Sequence, residues 1–377
     1  MGLSWTLGKI AGIQIKVHVT FFLALIWGAV MWGGGTISSL AYGALLTLVL
    51  FGVVLLHELG HSLAARRYGI AVHDIMLLPI GGVARLSHMP EKPTEELVVA
   101  LAGPAVNLAF VLVLAPVLSI SMGRGLLSGG LLPPGLETTA SPIGLVGFLL
   151  LVNVSLLLFN LIPAFPLDGG RVLRALIALK LPYVRATGLA AMIGRGMAIA
   201  LGFYGLVSLD FILVLVAAFI FFAAGAESYE VKTREALKGF RVTEVLESHP
   251  QILTPDLPPH LAFERLARSH RRALAVVDQE GGFLGMVSPD GIQRRWRDGQ
   301  RGPLSAFLEK PGVVLDCGNA LDVARQQMLE KQAWVAPVFC GRDFAGLLDL
   351  ESIARVISSR GAMRHPENGG LGGVADA

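Results

Sequence analysis

Between Val19 and Leu56 the chain carries no Asp, Glu, Lys, Arg or His, and this 38-residue run ends on His57 and Glu58, with His61 one turn further on. A stretch of that length is too long for one helix across a ~30 Å hydrocarbon core and fits two, broken at Gly33, Gly34 and Gly35. In a helix the side chains of residues i and i+4 lie on one face. His57 and His61 can therefore offer two imidazole nitrogens to one metal ion, with Glu58 beside them. H-E-x-x-H on a helix is the pattern in which two histidines bind zinc and the glutamate serves as general base. The competing reading is two satisfied core histidines and an exposed glutamate. It fits poorly at the end of a charge-free run, where ionisable groups are costly and mark functional sites.

The rest of the composition agrees with a membrane setting. Hydrophobic residues make up 53% of the 377 and charged residues only 16%, with the imbalance in the first 226. A net charge of +3 gives no ground for a nucleic-acid partner. The two cysteines, Cys317 and Cys340, give neither a disulfide framework nor a zinc ribbon. No cleavable signal peptide is evident in residues 1–19. These residues read as a short amphipathic stretch with Lys9 and Lys16.

Further spans follow in order. The first covers about Thr20 to Trp32 and the second carries the histidines and leaves at Arg66 and Arg67. Residues 70–90 alternate weakly around Pro79, Gly81 and Gly82 and predict short strands about a turn. Such backbone is tolerated at membrane depth only when buried in protein or lining a wet cavity. A hairpin beside the metal site, able to hold a peptide in extended form, and a plain surface loop are both open. A third span, uncharged from Leu97 to Gly123, contains Ala102, Gly103, Pro104 and Asn107, mostly small residues suited to close helix packing. A fourth runs uncharged from Thr138 to Leu167 and contains Asn153 and Asn160. It ends in a turn with Pro163, Pro166 and Asp168. The basic amphipathic segment after it suits a membrane surface. Two more spans fit residues 187–208 and 210–226, with Arg195 inside the fifth.

Six spans put both termini on one side, together with Lys9, Lys16, Arg66, Arg67, Arg171, Arg174, Lys180, Arg185, Lys232 and Arg234. The opposite loops hold little more than Arg124. The positive-inside rule makes the basic side cytoplasmic. From about residue 240 the composition is that of a soluble domain. A weak repeat at a 61-residue offset matches Ala275, Val277, Phe283, Gly285 and Ile292 to Ala336, Val338, Phe344, Gly346 and Ile353. Each copy reads strand, helix, strand, strand, helix. The predicted organisation is a membrane domain over 1–230 with about six transmembrane helices and a membrane-associated β-hairpin. An α/β pair of repeats follows at 240–298 and 299–360, with a disordered tail at 361–377.

These residues carry a resemblance. GKIAGIQIKVHV at 8–19, HELGH at 57–61, PIGGVARL at 79–86, ALAGPAVNL at 100–108 and NLIPAFPLDGGR at 160–171 fall in the order of the site-2 protease family of intramembrane zinc metalloproteases. The chain resembles the subgroup with a C-terminal tandem CBS module. The resemblance implies cleavage of a membrane-embedded substrate, and the span count with the positive-inside rule makes the chain a multi-pass protein of the cell membrane with both termini and the CBS module cytoplasmic. The resemblance also implies one zinc ion per chain and a membrane-protein substrate, often a single-pass regulator released to alter transcription.

A catalytic zinc keeps three protein ligands and an open position. His57 and His61 supply two. Asp168 is the candidate for the third, as the only acidic residue between Glu137 and Asp210, and chiefly from its place in the family motif. Its other reading is an N-cap for the helix that follows. Glu58 would take a proton from water and pass it to the leaving amine. Asn160 could hold the substrate backbone or the developing oxyanion, or simply glue two helices together. Gly81 and Gly82 are the candidate substrate contacts of the hairpin. A transporter or channel regulated by CBS domains, with a structural metal site, is the alternative, although no internal repeat links the spans. CBS modules that bind adenine nucleotides carry Gly-x-x-Ser/Thr-x-x-Asp. Here the copies read Gly285-Met-Val-Ser288-Pro-Asp290-Gly291 and Gly346-Leu-Leu-Asp349-Leu-Glu351-Ser352, each without the final Asp. Nucleotide binding is therefore expected to be weak or absent, leaving the module to form a homodimer or dock substrate.

Overall fold

The uncharged run folds as two helices, α1 (Phe21–Gly33) and α2 (Ile37–Arg67), in a computed structural model that describes residues 4–33, 35–87, 89–121, 140–246, 251–269 and 271–363. Thr36 starts α2 as a capping residue, its hydroxyl accepting from the Ser39 N–H. The 31 residues of α2 reach about 46 Å at 1.5 Å per residue, whereas the 13 of α1 reach only about 20 Å. The first expected span is thus shorter than a ~30 Å hydrocarbon core. Its shortness has a visible cause. α1 runs back along the first half of α2, with the Phe21 ring 4.6 Å from that of Phe51. Beside the second half of α2 a sheet takes its place.

That sheet has four strands in the order β1 (Ser4–Ile10), β2 (Ile13–His18), β3 (Val72–Leu78), β4 (Gly81–Leu86). The hairpin expected near residues 70–90 is β3–β4, and the amphipathic N-terminal stretch is a second hairpin joined to it by parallel pairing of β2 and β3. Ile13, Ile15 and Val17 point inward at period two. Ile13, Ile15 and Ile75 pack against Leu55 and Leu59 of α2. A buried charge stitches three strands. Asp74 on β3 is only 2% exposed. It receives Lys16 of β2 at 2.6 Å and Arg85 of β4 through Nε at 2.5 Å and through Nη2. The bonds from Arg85, with Lys16 alongside, hold the Asp74 carboxyl below the ordinary carboxylate range despite its burial.

The helices that follow are α3 (Pro93–Ser121), α4 (Pro142–Asn160), the short α5 (Asp168–Ala178), α6 (Tyr183–Val207) and α7 (Phe211–Leu237). Among the described residues α2, α3, α4, α6 and α7 are long and apolar enough to cross a membrane. The loop between α3 and α4, with Arg124 and Glu137, lies outside the described residues. α2 and α3 meet through small residues, as their composition suggests: a Cβ on Gly60 would lie 2.7 Å from the Ala102 carbonyl oxygen. The expectation for α5 needs correction. It does not lie free on a membrane surface but packs on α3 and α6, and its Arg174 is 1% exposed. Arg195 of α6 stacks over the Phe221 ring of α7 at 5.2 Å.

The chain divides into two compact units, Met1–Tyr229 and Glu230–Ala377. The second contains the expected tandem repeat. One copy is β5 (Ile252–Leu253), α8 (Pro259–Ser269), β6 (Leu274–Val277), β7 (Phe283–Val287) and α9 (Pro289–Arg297). The other is β8 (Leu315–Asp316), α10 (Leu321–Glu330), β9 (Val335–Cys340), β10 (Asp343–Asp349) and α11 (Leu350–Met363). In each three-stranded sheet the first pair is parallel and the second antiparallel. Helix α11 runs into the segment expected to be a tail, and residues 364–377 lie outside the described residues. The cysteines also depart from expectation. Parallel pairing of β8 with β9 brings Cys317 and Cys340 together, and they form a disulfide. The two lie 23 residues apart within one copy, and it is the parallel crossover through α10 that brings them side by side.

Candidate metal centre

The last three turns of α2 bring His57 and His61 to one face, where both are buried at 5% exposure. The ring centroids lie 4.7 Å apart and the two Nε2 atoms 3.1 Å apart. The Nδ1 atoms are held elsewhere. That of His57 lies 2.5 Å from Asn107 Oδ1, and that of His61 lies 2.7 Å from the Val99 carbonyl, both acceptors on α3. Asn107 is itself fixed, because its amide nitrogen donates to Asn153 Oδ1 of α4 at 2.9 Å. In neutral imidazoles the ring proton therefore sits on Nδ1, and both Nε2 lone pairs point into the same space.

Asp168 completes the group. Its Oδ2 lies 3.2 Å from His57 Nε2 and 3.0 Å from His61 Nε2, and it is buried. It is the first residue of α5, but Leu167 occupies the N-cap position and no side chain caps the helix. Two glycines let α5 start hard against the preceding turn: a Cβ on Gly170 would fall 2.6 Å from the Ala164 carbonyl carbon and the Phe165 nitrogen. The carboxylate is thereby aimed across the bundle at α2. Arg171 stands 3.9 Å from its other oxygen.

Three lone-pair atoms thus face one another at 3.0–3.2 Å with no proton assigned between the nitrogens. That arrangement is repulsive unless a cation sits among them. The spacing is close to the ~3.3 Å separating ligand atoms in a tetrahedral zinc site with ~2.0–2.1 Å bonds. The donor set, two imidazoles and a carboxylate, also fits zinc. His57, His61 and Asp168 form a group that could hold a metal ion.

Glu58 follows His57 on α2, half-buried, and makes no hydrogen bond among the described residues. Gly82 of β4 lies against it, since a Cβ there would come within 2.7 Å of Glu58 Cγ. The hairpin predicted from sequence is therefore beside the histidines, with Gly81 opening β4 at a φ of 138°. Asn160 ends α4, and its side chain has no hydrogen-bond partner among the described residues. Two asparagines that had been read only as part of the spans, Asn107 and Asn153, are the ones tied to His57. Gly103 was likewise read only as a packing residue. It faces both imidazoles, and a Cβ there would lie 2.7 Å from His57 Nε2 and closer still to His61.

The profile of Peptidase family M50 matches residues 45–131 and 131–201, the part that builds this centre. A zinc metalloprotease of Methanocaldococcus jannaschii is 32% identical over 360 residues, covering 95% of this chain and 97% of the relative. The chain belongs to peptidase family M50. As a member it is a multi-pass membrane zinc metalloprotease, which decides against the transporter or channel reading. The solved site-2 protease of Methanocaldococcus jannaschii is 39% identical, with a TM-score of 0.43, and covers 60% of this chain and 95% of that one. A CBS domain protein from Pyrobaculum aerophilum complexed with AMP is 18% identical, with a TM-score of 0.29, and covers 33% of this chain and 99% of that one.

The position of Gly103 makes a direct test. Gly103→Ala places a methyl group on the imidazoles while leaving α3 better suited to helix. Metal analysis of the purified variant is expected to show zinc largely lost while detergent-solubilised protein remains folded. Full zinc occupancy would mean that α3 does not press on the histidines.

Proposed function

We propose that the protein cleaves a peptide bond within or near the transmembrane segment of another membrane protein, in regulated intramembrane proteolysis, with a single-pass regulator as its substrate. The observation that carries this reading is the convergence of His57, His61 and Asp168 within 4.8 Å of one another, beside Glu58, at the end of a helix long enough to cross a membrane. His57, His61 and Asp168 are the three ligands. Zinc held there supplies a Lewis acid that polarises the scissile carbonyl and makes water more acidic. Glu58 takes the proton from the attacking water and delivers it to the leaving amine. Asn107 and the Val99 carbonyl keep the ring protons on Nδ1, so that Nε2 of each histidine stays free to bind metal.

A helical substrate offers no extended peptide for attack and must unwind locally. The outer edge of β4 supports this step. It ends the sheet, lies against Glu58 through Gly82, and can pair with an unwound segment by strand addition. Asn160 remains a candidate for the oxyanion or the substrate backbone. The orientation follows the positive-inside rule, with the side of Lys9, Arg66, Arg67, Arg171, Lys180 and Arg185 cytoplasmic. Arg174 drops out of that count because Glu96 and Glu227 neutralise it.

The second unit is proposed to bind nucleotide weakly or not at all. Helix N-termini are the natural seats for phosphate, but here carboxylates stand at them. Ser288 caps α9 and donates to Glu309 at 2.6 Å, and the same carboxylate lies within 2.6 Å of where a Gly291 Cβ would be. Asp349 caps α11 and pairs with Arg271 at 3.1 Å across the repeats, beside a cavity of about 300 Å³. A phosphate entering at α9 would meet the Glu309 carboxylate, and one entering at α11 would have to compete with Asp349 and Glu351 for Arg271 and Arg272, with Arg355 also lining the cavity.

Three measurements test these assignments. Glu58→Gln keeps size and helix propensity, so zinc should stay while a membrane protein that accumulates in cells carrying the variant is no longer cut; continued cutting would sink the mechanism. Asp168→Asn should weaken zinc by more than the roughly 10–100-fold typical of an outer-shell change, with activity falling in step. Wild-type zinc affinity in that variant would remove Asp168 from the ligand set. Calorimetric titration of the full chain in detergent with AMP, ATP and S-adenosylmethionine should give no binding at tens of micromolar, and micromolar affinity for any of them would overturn the nucleotide assignment.

A further inference from the structure

The groups that face the metal come from two directions. α2 carries the histidines, whose rings are held by α3, and α5 carries the acid. One buried arginine joins α5 to α3. Arg174 is 1% exposed and Glu96 is fully buried. Arg174 Nε donates to Glu96 Oε1 at 2.8 Å, and its Nη2 lies 2.5 Å from the same oxygen. Nη1 donates to Glu227 of α7 at 2.6 Å. The guanidinium lies over the rings of Phe165 and Tyr183, 4.9 Å from each centroid.

The places of these residues along their helices matter. Glu96 is three residues before Val99, whose carbonyl holds His61, and α3 continues to Gly103 and Asn107 at the imidazoles. Arg174 is six residues after Asp168, about 9 Å along α5. The ion pair therefore fixes α5 against α3 less than two turns from the acid. A buried ion pair is poor evidence of stabilisation, because well-packed apolar residues of similar volume often do as well. What it adds is direction. Apolar side chains allow a helix to shift along its neighbour at little cost, whereas a guanidinium held by Glu96 Oε1 on one edge, Glu227 on another and two aromatic rings on its faces resists such a shift, even though Glu96 Oε2 has no partner. Metal ligands must sit within about 0.2 Å of their proper distances.

We infer that Arg174 is a positioning residue: with Glu96 it sets α5 against α3 and so holds Asp168 at ligand distance from His57 and His61. This rests on the ligand set proposed above. The single change Arg174→Met would leave Glu96 buried and unpaired, a defect in folding as much as in position. The informative variant is Arg174→Met with Glu96→Met, which removes both charges and keeps the volume. It should unfold in detergent near the wild-type temperature, yet bind zinc about 10–100-fold more weakly in competition with a chelator. Its cobalt-substituted form should show an altered visible spectrum, which reports ligand geometry independently of activity. Arg174→Lys keeps the charge and loses the fork, and should also weaken zinc in a folded protein. Wild-type zinc affinity and cobalt spectrum in the folded double variant, or in Arg174→Lys if the double variant does not fold, would overturn the inference. Asp168→Asn in the same titration separates the two levels. If it loses zinc while the Arg174 variants keep it, only the positioning role fails; if it too binds zinc normally, the ligand set itself is wrong.

Discussion

Two imidazole lone pairs and a carboxylate cannot be left facing one another inside an apolar bundle. The energetic cost of that arrangement is removed when a cation sits among them, and much of the first unit is built to keep them facing. Asn107 and the Val99 carbonyl take the ring protons on one side of the histidines. Asn153 takes the amide of Asn107 in turn, so that a side chain on α4 fixes a tautomer on α2. Gly103 removes the one side chain that would otherwise fill the space between α3 and the rings. Each of these features costs packing or polar burial, and each is accounted for by a bound metal.

The same helix explains the mixed architecture around the site. α2 is long enough to have two kinds of neighbour, α1 on its first half and a sheet on its second. A sheet could not border lipid with unpaired edges at little cost. Part of the cost is met internally: β2 and β3 are paired on both sides, and Asp74 ties Lys16 and Arg85 across three strands. What is left are the outer edges of β1 and β4, and that of β4 lies beside Glu58. A strand edge and the candidate metal centre thus meet at one point, the place that the proposed mechanism gives to an extended peptide.

Legibility followed the range of the interactions. His57, Glu58 and His61 fall within about one turn of a single helix, so their spacing, together with their place at the end of a charge-free run, pointed to the site. The hairpin was visible from local alternation and glycines, and the tandem repeat from its offset. Arg174 misled for the opposite reason. In sequence it is one of several basic residues on an amphipathic segment, and nothing local shows that Glu96, 78 residues earlier, and Glu227, 53 residues later, will enclose it. Cys317 and Cys340 were read as unconnected for the same cause, since it is the crossover from β8 to β9 that joins them.

The sequence by itself determined which segments must leave water, where the two histidines and the glutamate fall, and that a repeated α/β module follows. Those properties depend on composition and on helix and strand period, which act over a few residues. Only the tertiary structure decided which nitrogen of each imidazole is free and which asparagines arrange that. It also decided that Asp168 turns to the histidines rather than capping its own helix, and that α1 gives way to a sheet. These depend on directions of approach between helices distant in sequence, and a hydrogen bond or a ligand contact exists only once those directions are fixed.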